Sequence, residues 1–355
     1  MDPFRIDSHK LIYHVSRVDD WLHNKLIYPI YLEISPSGTC NHRCSFCALD
    51  YMAYQKRYLD VSLLSDRLIE MGKLGIKSIM YAGEGEPLLH KQIIDIIKKT
   101  KQSGIDTAIT TNGVFLDDFI SKKILNDTKW IKVSINAGSK ENYAKIHRTN
   151  SSDFDRVMKN ISDAVKLKDQ NNYDCTLGIQ MILLPENHHE VIILTEIARN
   201  IGADYLVIKP YSQHLFSKTN KYEKIRYKEF LNLSERLSEY NTDNFHVIFR
   251  INTMRKWDNK CRQYNKCLAL PFWSYIDAGG NIWGCSAYLG QNNFYYGNIY
   301  ENTFQEIWEG EKRQKSISFV DQELNPEQCR INCRMDEVNK YLWELKNPQK
   351  HFNFI

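Results

Sequence analysis

Cysteine is the residue type with the most chemistry to offer in this 355-residue chain, and its nine copies are clustered. Cys40, Cys44 and Cys47 form a C-x3-C-x2-C run, Cys261, Cys267, Cys285, Cys329 and Cys333 fall in the last hundred residues, and Cys175 stands alone between the groups. An odd number of clustered cysteines, in a chain whose first residues lack the basic and apolar regions of a secretory signal, points to metal binding or catalysis rather than disulfides. Three thiolates on one tight loop can face a common point and bind a soft metal. A structural zinc site wants a fourth ligand close by. His42, between the cysteines, is expected to point away, and His90 is far along the chain. A four-iron, four-sulfur cluster normally takes four thiolates, so one held by three keeps an open position on one iron. Zinc and an open cluster are both compatible with the bare run. Its setting, after the strand-like Ile30–Ile34 and with Phe46 before the third cysteine, favours the cluster.

In the second group Cys267 and Cys285 bracket a hairpin, Trp273–Ile276 and Ile282–Trp283 around the Gly279-Gly280-Asn281 turn, and Cys329-Arg-Ile-Asn-Cys333 lies further on. Four thiolates from a hairpin and a turn can seal a metal completely, either zinc or an iron–sulfur cluster. Cys261 is left over as a spare ligand, a packing residue or a hydrogen-atom donor, and Cys175 reads as core.

The elements that must position these groups alternate along the chain. Strand-like runs at Ile30–Ile34, Ser78–Ala82, Thr107–Thr111, Trp130–Ile135, Thr176–Leu183, Tyr205–Lys209 and His246–Ile251 are separated by amphipathic stretches at Ser62–Leu74, Lys91–Ser103, Leu116–Leu125, Phe154–Lys168, Glu190–Asn200 and Tyr222–Tyr240. This alternation predicts parallel β-α units, either an open partial barrel or a doubly wound sheet. In both, loops at the C-terminal ends of strands carry the site, and the cysteine loop lies at one such end. Helices are also expected at Thr303–Trp308 and Val338–Leu345. The chain divides into a segment 1–27, a unit 28–255 and a cysteine-bearing extension 256–355. Net charge is only +4 and no apolar run approaches a membrane span, so neither nucleic acid nor membrane is the expected partner.

The run Cys40–Cys47 in this setting resembles the radical S-adenosylmethionine (SAM) superfamily. The resemblance implies an α/β fold, a partial (β/α)6 barrel followed by a small α+β extension. It also implies a cluster on Cys40, Cys44 and Cys47 whose open iron chelates SAM. Gly83-Glu84-Gly85-Glu86-Pro87 resembles the family's Gly-Gly-Glu-Pro element, which contacts the SAM amino group mainly through backbone; Gly85 and Glu86 match, and Glu84 stands where the family has its first glycine. By the same likeness Ser134 and Asn136 meet the ribose hydroxyls and Arg148 the SAM carboxylate, whereas Ser139 reads as a helix cap. Gln180 and Lys209 would face the barrel interior.

The extension resembles the twitch form of the SPASM domain, which implies one auxiliary [4Fe-4S] cluster on Cys267, Cys285, Cys329 and Cys333. Two [4Fe-4S] clusters and SAM are therefore the expected cofactors, and a flavodoxin- or ferredoxin-type protein the electron donor. The implied activity is cleavage of SAM to a 5′-deoxyadenosyl radical, followed by dehydrogenation, dehydration or epimerisation of a small polar substrate. An epimerase would draw on Cys261 as hydrogen donor. About thirty residues precede the first strand, short of a peptide-recognition domain, which favours a sugar, aminocyclitol or sugar nucleotide over a peptide. Tyr211, Tyr264, Phe272, Trp273 and Tyr288 are candidates for the floor of a sugar pocket. A SPASM-type peptide maturase is the competing enzyme reading, and a zinc-stabilised binding protein the competing class. A cytoplasmic location is expected.

Overall fold

The computed structural model describes residues 2–354. One ten-stranded sheet runs through it: β1 (Tyr31–Ile34), β2 (Ser78–Tyr81), β3 (Asp106–Thr111), β4 (Trp130–Ser134), β5 (Thr176–Leu183), β6 (Tyr205–Pro210), β7 (His246–Phe249), β8 (Trp273–Ile276), β9 (Asn281–Trp283) and β10 (Tyr295–Asn298). The spatial order is β10-β9-β8-β1-β2-β3-β4-β5-β6-β7, so the sheet does not close on itself. From β1 to β7 every pairing is parallel, as the strand–helix alternation predicts. The result is a partial barrel.

Side chains alternate faces along a strand, so each strand serves two environments. One face carries Ile109, Ile131, Val133, Ile179, Met181, Leu206 and Ile208 into the main core, against helical stripes such as Leu64, Leu68, Met71 and Ile93, Ile96, Ile97. Burying each such side chain contributes roughly 1.5–3 kcal/mol. The opposite face lines the lumen and carries Glu33, Lys132, Ser134, Gln180 and Lys209.

The extension does not stand apart from the barrel. β8 pairs in parallel with β1, Tyr31 opposite Trp273 through Ile34 opposite Ile276, and the expected hairpin then adds β9 and β10 antiparallel. Without β8, β1 would be an open edge with unpaired backbone groups. Thr303 caps the following helix, Phe304–Glu309, through a capping box with Glu306.

Two expectations change. Tyr222–Tyr240 is not one helix but a short 3-10 turn, Tyr227–Phe230, and a helix, Leu233–Ser238. The amides of Tyr227 and Lys228 donate to the Asp258 carboxylate (2.9 and 2.6 Å), which takes the bonds a continuous helix would need. Asp258 lies on a helix, Ile251–Asn259, whose first residue was expected to end the strand His246–Ile251; that strand stops at Phe249. The N-terminal segment, whose place the sequence did not indicate, plugs the base of the barrel. Phe4 and Ile6 cover the lumen faces of Tyr205, Val207 and Ile248 at the start of β6 and β7. Gly178 leaves room for the Tyr205 ring, which a Cβ there would meet at 2.0 Å. No helix among the described residues is long and apolar enough to cross a membrane.

Candidate active site

The Cys40–Cys47 loop leaves the C-terminal end of β1 and is pinned from two sides. Arg43 N donates to His147 O (3.1 Å) and Ser45 N to Ile146 O (2.8 Å), which hangs the loop on the end of the helix Lys140–His147. The Arg43 guanidinium folds back onto the carbonyls of Cys40 (2.5 Å) and His42 (2.7 Å) and stacks on Tyr54. All three thiols are half-buried. Burial first, then Glu86 and Cys47, pushes Cys40 up to about 12; burial, Cys47 and Cys40 push Cys44 well up, and burial raises Cys47 as well. Holding three such neighbours as thiolates needs a strongly cationic partner, which is what an iron–sulfur cluster supplies.

Two histidines sit under the loop. His42 does not point away as expected: it turns inward against Tyr143 and His147, and the ligand atoms of His42, Cys44 and His147 lie within 4.8 Å of one another. His147 has a partner on each ring nitrogen, whereas His42 only faces the Asp153 carboxylate and makes no hydrogen bond among the described residues. His147 Nε2 is 2.6 Å from Ile135 O and its Nδ1 3.2 Å from Cys44 Sγ, while His42 Nε2 is 3.4 Å from Asp153 Oδ2. Burial, then His42, holds His147 down at about 3, so it stays neutral beside the sulfur.

The turn after β2 is built around the loop. A Cβ on Gly85 would lie 2.2 Å from Thr39 O and 2.4 Å from Ser37 O, so this backbone approach admits only glycine. Glu86 is buried and fully engaged: its carboxylate accepts from Thr111 Oγ1 (2.6 Å), Asn112 N (2.8 Å) and Leu88 N (3.1 Å). Asn112 Nδ2 in turn donates to Asn41 Oδ1 (2.7 Å), which ties β3 to the cysteine loop. Glu84, where the family pattern has glycine, accepts from Arg57 Nη2 and from Ala278 N, both at 2.7 Å. It fastens the hairpin of the extension to the turn. Gly83 (φ +111°) leaves space for the Tyr275 hydroxyl from β8.

The remaining expected contacts distribute unevenly. Ser134 ends β4 half-exposed to the lumen and accepts from Gln180 Nε2 (3.2 Å). Asn136 is fully buried in a left-handed turn (φ 58°); its Oδ1 accepts from Ile182 N (2.7 Å) and its Nδ2 lies 3.3 Å from His147 Nε2. Its side chain is therefore spent on holding β5 and His147. Ser139 caps the helix Lys140–His147 as expected, accepting from Asn142 N. Arg148 is exposed at the end of that helix and exerts an electrostatic pull on Cys44.

Cys267, Cys285, Cys329 and Cys333 form a second nest, and every sulfur in it faces a donor. Ala287 N points at Cys285 Sγ and Met335 N at Cys333 Sγ (3.4 Å each), Asn339 Nδ2 at Cys267 Sγ (3.8 Å), and the Tyr288 hydroxyl lies 3.0 Å from Cys329 Sγ. Burial and then the charge of Cys333 push Cys267 up to about 12 and Cys285 well up. Four mutually repelling sulfurs, each offered a hydrogen bond, fit a fully cysteine-ligated cluster. Arg262 holds the turn by donating to Cys329 O (3.0 Å) and Arg330 O (2.8 Å). Cys261 is exposed, its Sγ against Arg262 O, and the structure brings it to neither nest; a hydrogen donor to a lumen radical would have to face the lumen. Cys175 is core.

The radical SAM superfamily model matches residues 34–197, and the model of an iron–sulfur cluster-binding domain, SPASM, matches residues 267–334. The chain belongs to the radical SAM superfamily. As a radical SAM enzyme with a SPASM domain it has a SAM-binding [4Fe-4S] cluster and an auxiliary cluster, and the zinc-stabilised binding protein is set aside. Among curated proteins it is 28% identical over 208 residues to GTP 3′,8-cyclase of Chlorobaculum tepidum (55% of this chain, 59% of that protein). It is 29% identical over 180 residues to a probable GTP 3′,8-cyclase of Saccharolobus islandicus (49% and 54%). The chain thus spans under two thirds of these relatives. Among solved structures, Streptococcus suis SuiB bound to precursor peptide SuiA aligns with TM-score 0.67 at 20% identity, over 96% of this chain and 77% of that one. Native anSMEcpe with bound AdoMet aligns with TM-score 0.61 at 18% identity (90% and 95%). These two likenesses describe the fold.

Sequence reasoning about this radical SAM enzyme missed His147, Arg57, Arg262 and Asn339. Each is an ordinary residue type in a helix or loop, and only contacts far along the chain give it a role. Of the aromatics expected to floor a pocket, Tyr211, Tyr264 and Phe272 are buried, Trp273 is buried beside Cys285 and Cys333, and Tyr288 lines a cavity.

Proposed function

We propose that this enzyme abstracts a hydrogen atom from a small polar substrate in the barrel lumen, of the sugar, aminocyclitol or sugar-nucleotide class, leading to dehydrogenation, dehydration or epimerisation. One observation carries the reading: an ion pair ties the second thiol nest to the lumen face of the strand that leads into the first. Arg334, directly after Cys333, is ion-paired with Glu33 on the lumen face of β1, the strand that feeds Cys40. When bound, SAM on the three-thiol cluster supplies a radical that removes hydrogen from an unactivated C–H bond, and the four-thiol cluster supplies an acceptor for the electron left on the substrate.

The chain's own residues orient the reactants and exclude water. Gly85 lets the backbone of its turn come close to the cysteine loop, and Glu86 fixes the shape of that turn. The Ser134 hydroxyl is the group offered to the ribose, Asn136 acts by setting the bend behind it, and Arg148 offers a guanidinium to the SAM carboxylate near Cys44. The Phe4 and Ile6 plug keeps solvent from the base. A flavodoxin- or ferredoxin-type donor would supply the electron, and nine free thiols fit a cytoplasmic location. A second reading, peptide maturation, has support in a cavity of about 400 Å³ beside the auxiliary nest, whose aromatic and amide lining (Phe216, Tyr288, Gln291, Asn292, Phe294, Phe319) suits an extended chain.

The test uses anaerobically reconstituted enzyme with deuterated sugars, sugar nucleotides and peptides, reading deuterium in 5′-deoxyadenosine. Transfer from a sugar-type substrate is expected; transfer from peptides alone would replace this reading with the second. Cys44→Ala should abolish SAM cleavage, whereas Cys329→Ala should lower iron content yet leave cleavage measurable.

A further inference from the structure

The lumen holds more positive charge than the protein balances. Lys132 lies on the inner face of β4, flanked in register by Thr110 of β3 and by Gly178 of β5, so no side chain covers it from β5. Lys209 is the penultimate residue of β6. Arg250 follows β7, and Arg330 and Arg334 come over the chamber from the Cys329–Cys333 turn. The charges bearing most on Lys209 are all positive: Lys132, Arg250, Arg334 and Arg330.

Two of the five cations have partners. Arg334 pairs with Glu33 and donates to the Tyr31 hydroxyl (2.8 Å). Arg250 Nε pairs with Asp7 (3.0 Å), which also accepts from Thr253 Oγ1 (2.9 Å). Lys132, Lys209 and Arg330 have no carboxylate within ion-pair reach among the described residues. Arg330 spends only its Nε, on Ser212 Oγ (3.1 Å), which leaves both terminal nitrogens free. Lys132 Nζ rests 5.2 Å from the centre of the Trp130 ring.

Three like charges in a half-buried chamber repel one another and lose hydration. Glu33, already paired with Arg334, offsets part of this for Lys132 and Arg330, and Cys333 and Cys285 part of it for Arg330, but the charges bearing most on Lys209 all add to its cost. Burial, then Arg334 and Arg250, draws Lys132 down to about 8, and Lys209 lies well below its ordinary value for the same kinds of reason. A ligand anion relieves both. Two compact ammonium groups and one planar fork converging from three elements match the several equivalent oxygens of a phosphoryl group better than a single carboxylate. We propose that the substrate carries a phosphate or diphosphate group, and that Lys132, Lys209 and Arg330 grip it across the lumen. The assignment rests on the lumen being the substrate chamber and adds the chemical class of what enters it.

Inorganic pyrophosphate is the probe, titrated into the reconstituted enzyme and followed by equilibrium dialysis and by melting temperature. Succinate and a short oligoglutamate peptide run as parallel arms. The expected result is saturable pyrophosphate binding that raises the melting temperature, with both other anions about tenfold weaker or more. Lys132→Met and Lys209→Met should each weaken pyrophosphate about tenfold or more. Without ligand they should melt no lower than the parent, because each removes an uncompensated charge; a lysine with a merely structural role would lower it. Lys132→Gln and Lys209→Gln repeat the test if either methionine variant fails to fold, and the parent titration decides without any variant. Absent pyrophosphate binding, unchanged affinity in the variants, or binding of the acidic peptide alone would each overturn the assignment. SAM cleavage is measured in parallel. Loss of cleavage with pyrophosphate binding intact would sink the enzymatic reading instead.

Discussion

Replacing Gly85 with alanine tests the central geometric claim, that the turn after β2 and the cysteine loop share backbone contact. The new Cβ would stand 2.2 Å from Thr39 O, 2.4 Å from Ser37 O and 2.8 Å from Thr39 N, whereas ordinary contact begins at 3.4 Å. None of these atoms belongs to a flexible side chain, so the loop must retreat by about 1 Å. Overpacking of this kind costs about 1–3 kcal/mol. The retreat also strains the bond from Glu86 N to Thr39 O (2.8 Å), whose loss costs about 1 kcal/mol more. Together these lower the melting temperature by roughly 3–5 °C. A displacement of ~1 Å at the cysteines lowers the rate of SAM cleavage by about a hundredfold. The assays are thermal denaturation and anaerobic 5′-deoxyadenosine formation. Gly104→Ala is the control: Gly104 has a left-handed backbone (φ +74°), which Gly85 does not, but nothing lies within 4 Å of its added Cβ. That change should cost about 1 kcal/mol and leave cleavage alone. Parent-like stability and cleavage in Gly85→Ala, or an equal fall in Gly104→Ala, would refute the reasoning.

Glu84→Gly restores the family's glycine yet strips Arg57 and Ala278 N of their shared acceptor, so stability should fall by about 1–3 kcal/mol, with faster hydrogen exchange at Ala278. Glu86→Gln sets its amide donor either against Asn112 N–H, at Oε2, or against Leu88 N–H and the Thr111 hydroxyl, at Oε1, and should lower the melting temperature by a few degrees, for a cost of about 1–3 kcal/mol. Lys132 is drawn down to about 8 from an ordinary value near 10.4, so between those limits the folded state binds fewer protons than the unfolded one. The parent protein should therefore gain stability as pH rises from about 8 towards 10. Lys132→Met, the more stable of the two at pH 7, should lose that advantage over the same window; a gap constant with pH in paired melting curves would contradict this.

Much of the scaffold is legible in local pattern. Thr176–Leu183 is a strand with the bounds its alternation predicts, the Gly279-Gly280-Asn281 turn does join two strands, and Cys40–Cys47 does sit at the end of β1. These features depend on neighbours within a few residues. Tyr222–Tyr240 misleads for the opposite reason: its helical periodicity is real, but Asp258 takes two of its amides from outside the segment. Likewise Tyr211 and Phe272 look like ligand aromatics by type and are core by position.

By itself, then, the order of residues determined the clustering of the thiols, the strand–helix alternation and the glycine turn, because chemistry of that kind is carried by residue type and short spacing. Which groups meet was decided only by the folded chain. β8 pairing on β1 brings the second thiol nest to the edge of the barrel, Glu84 meets Ala278 across 194 positions, and Arg334 pairs with Glu33 from the far end of the chain. Electrostatic and steric forces act through space, and separation along the chain does not encode that distance.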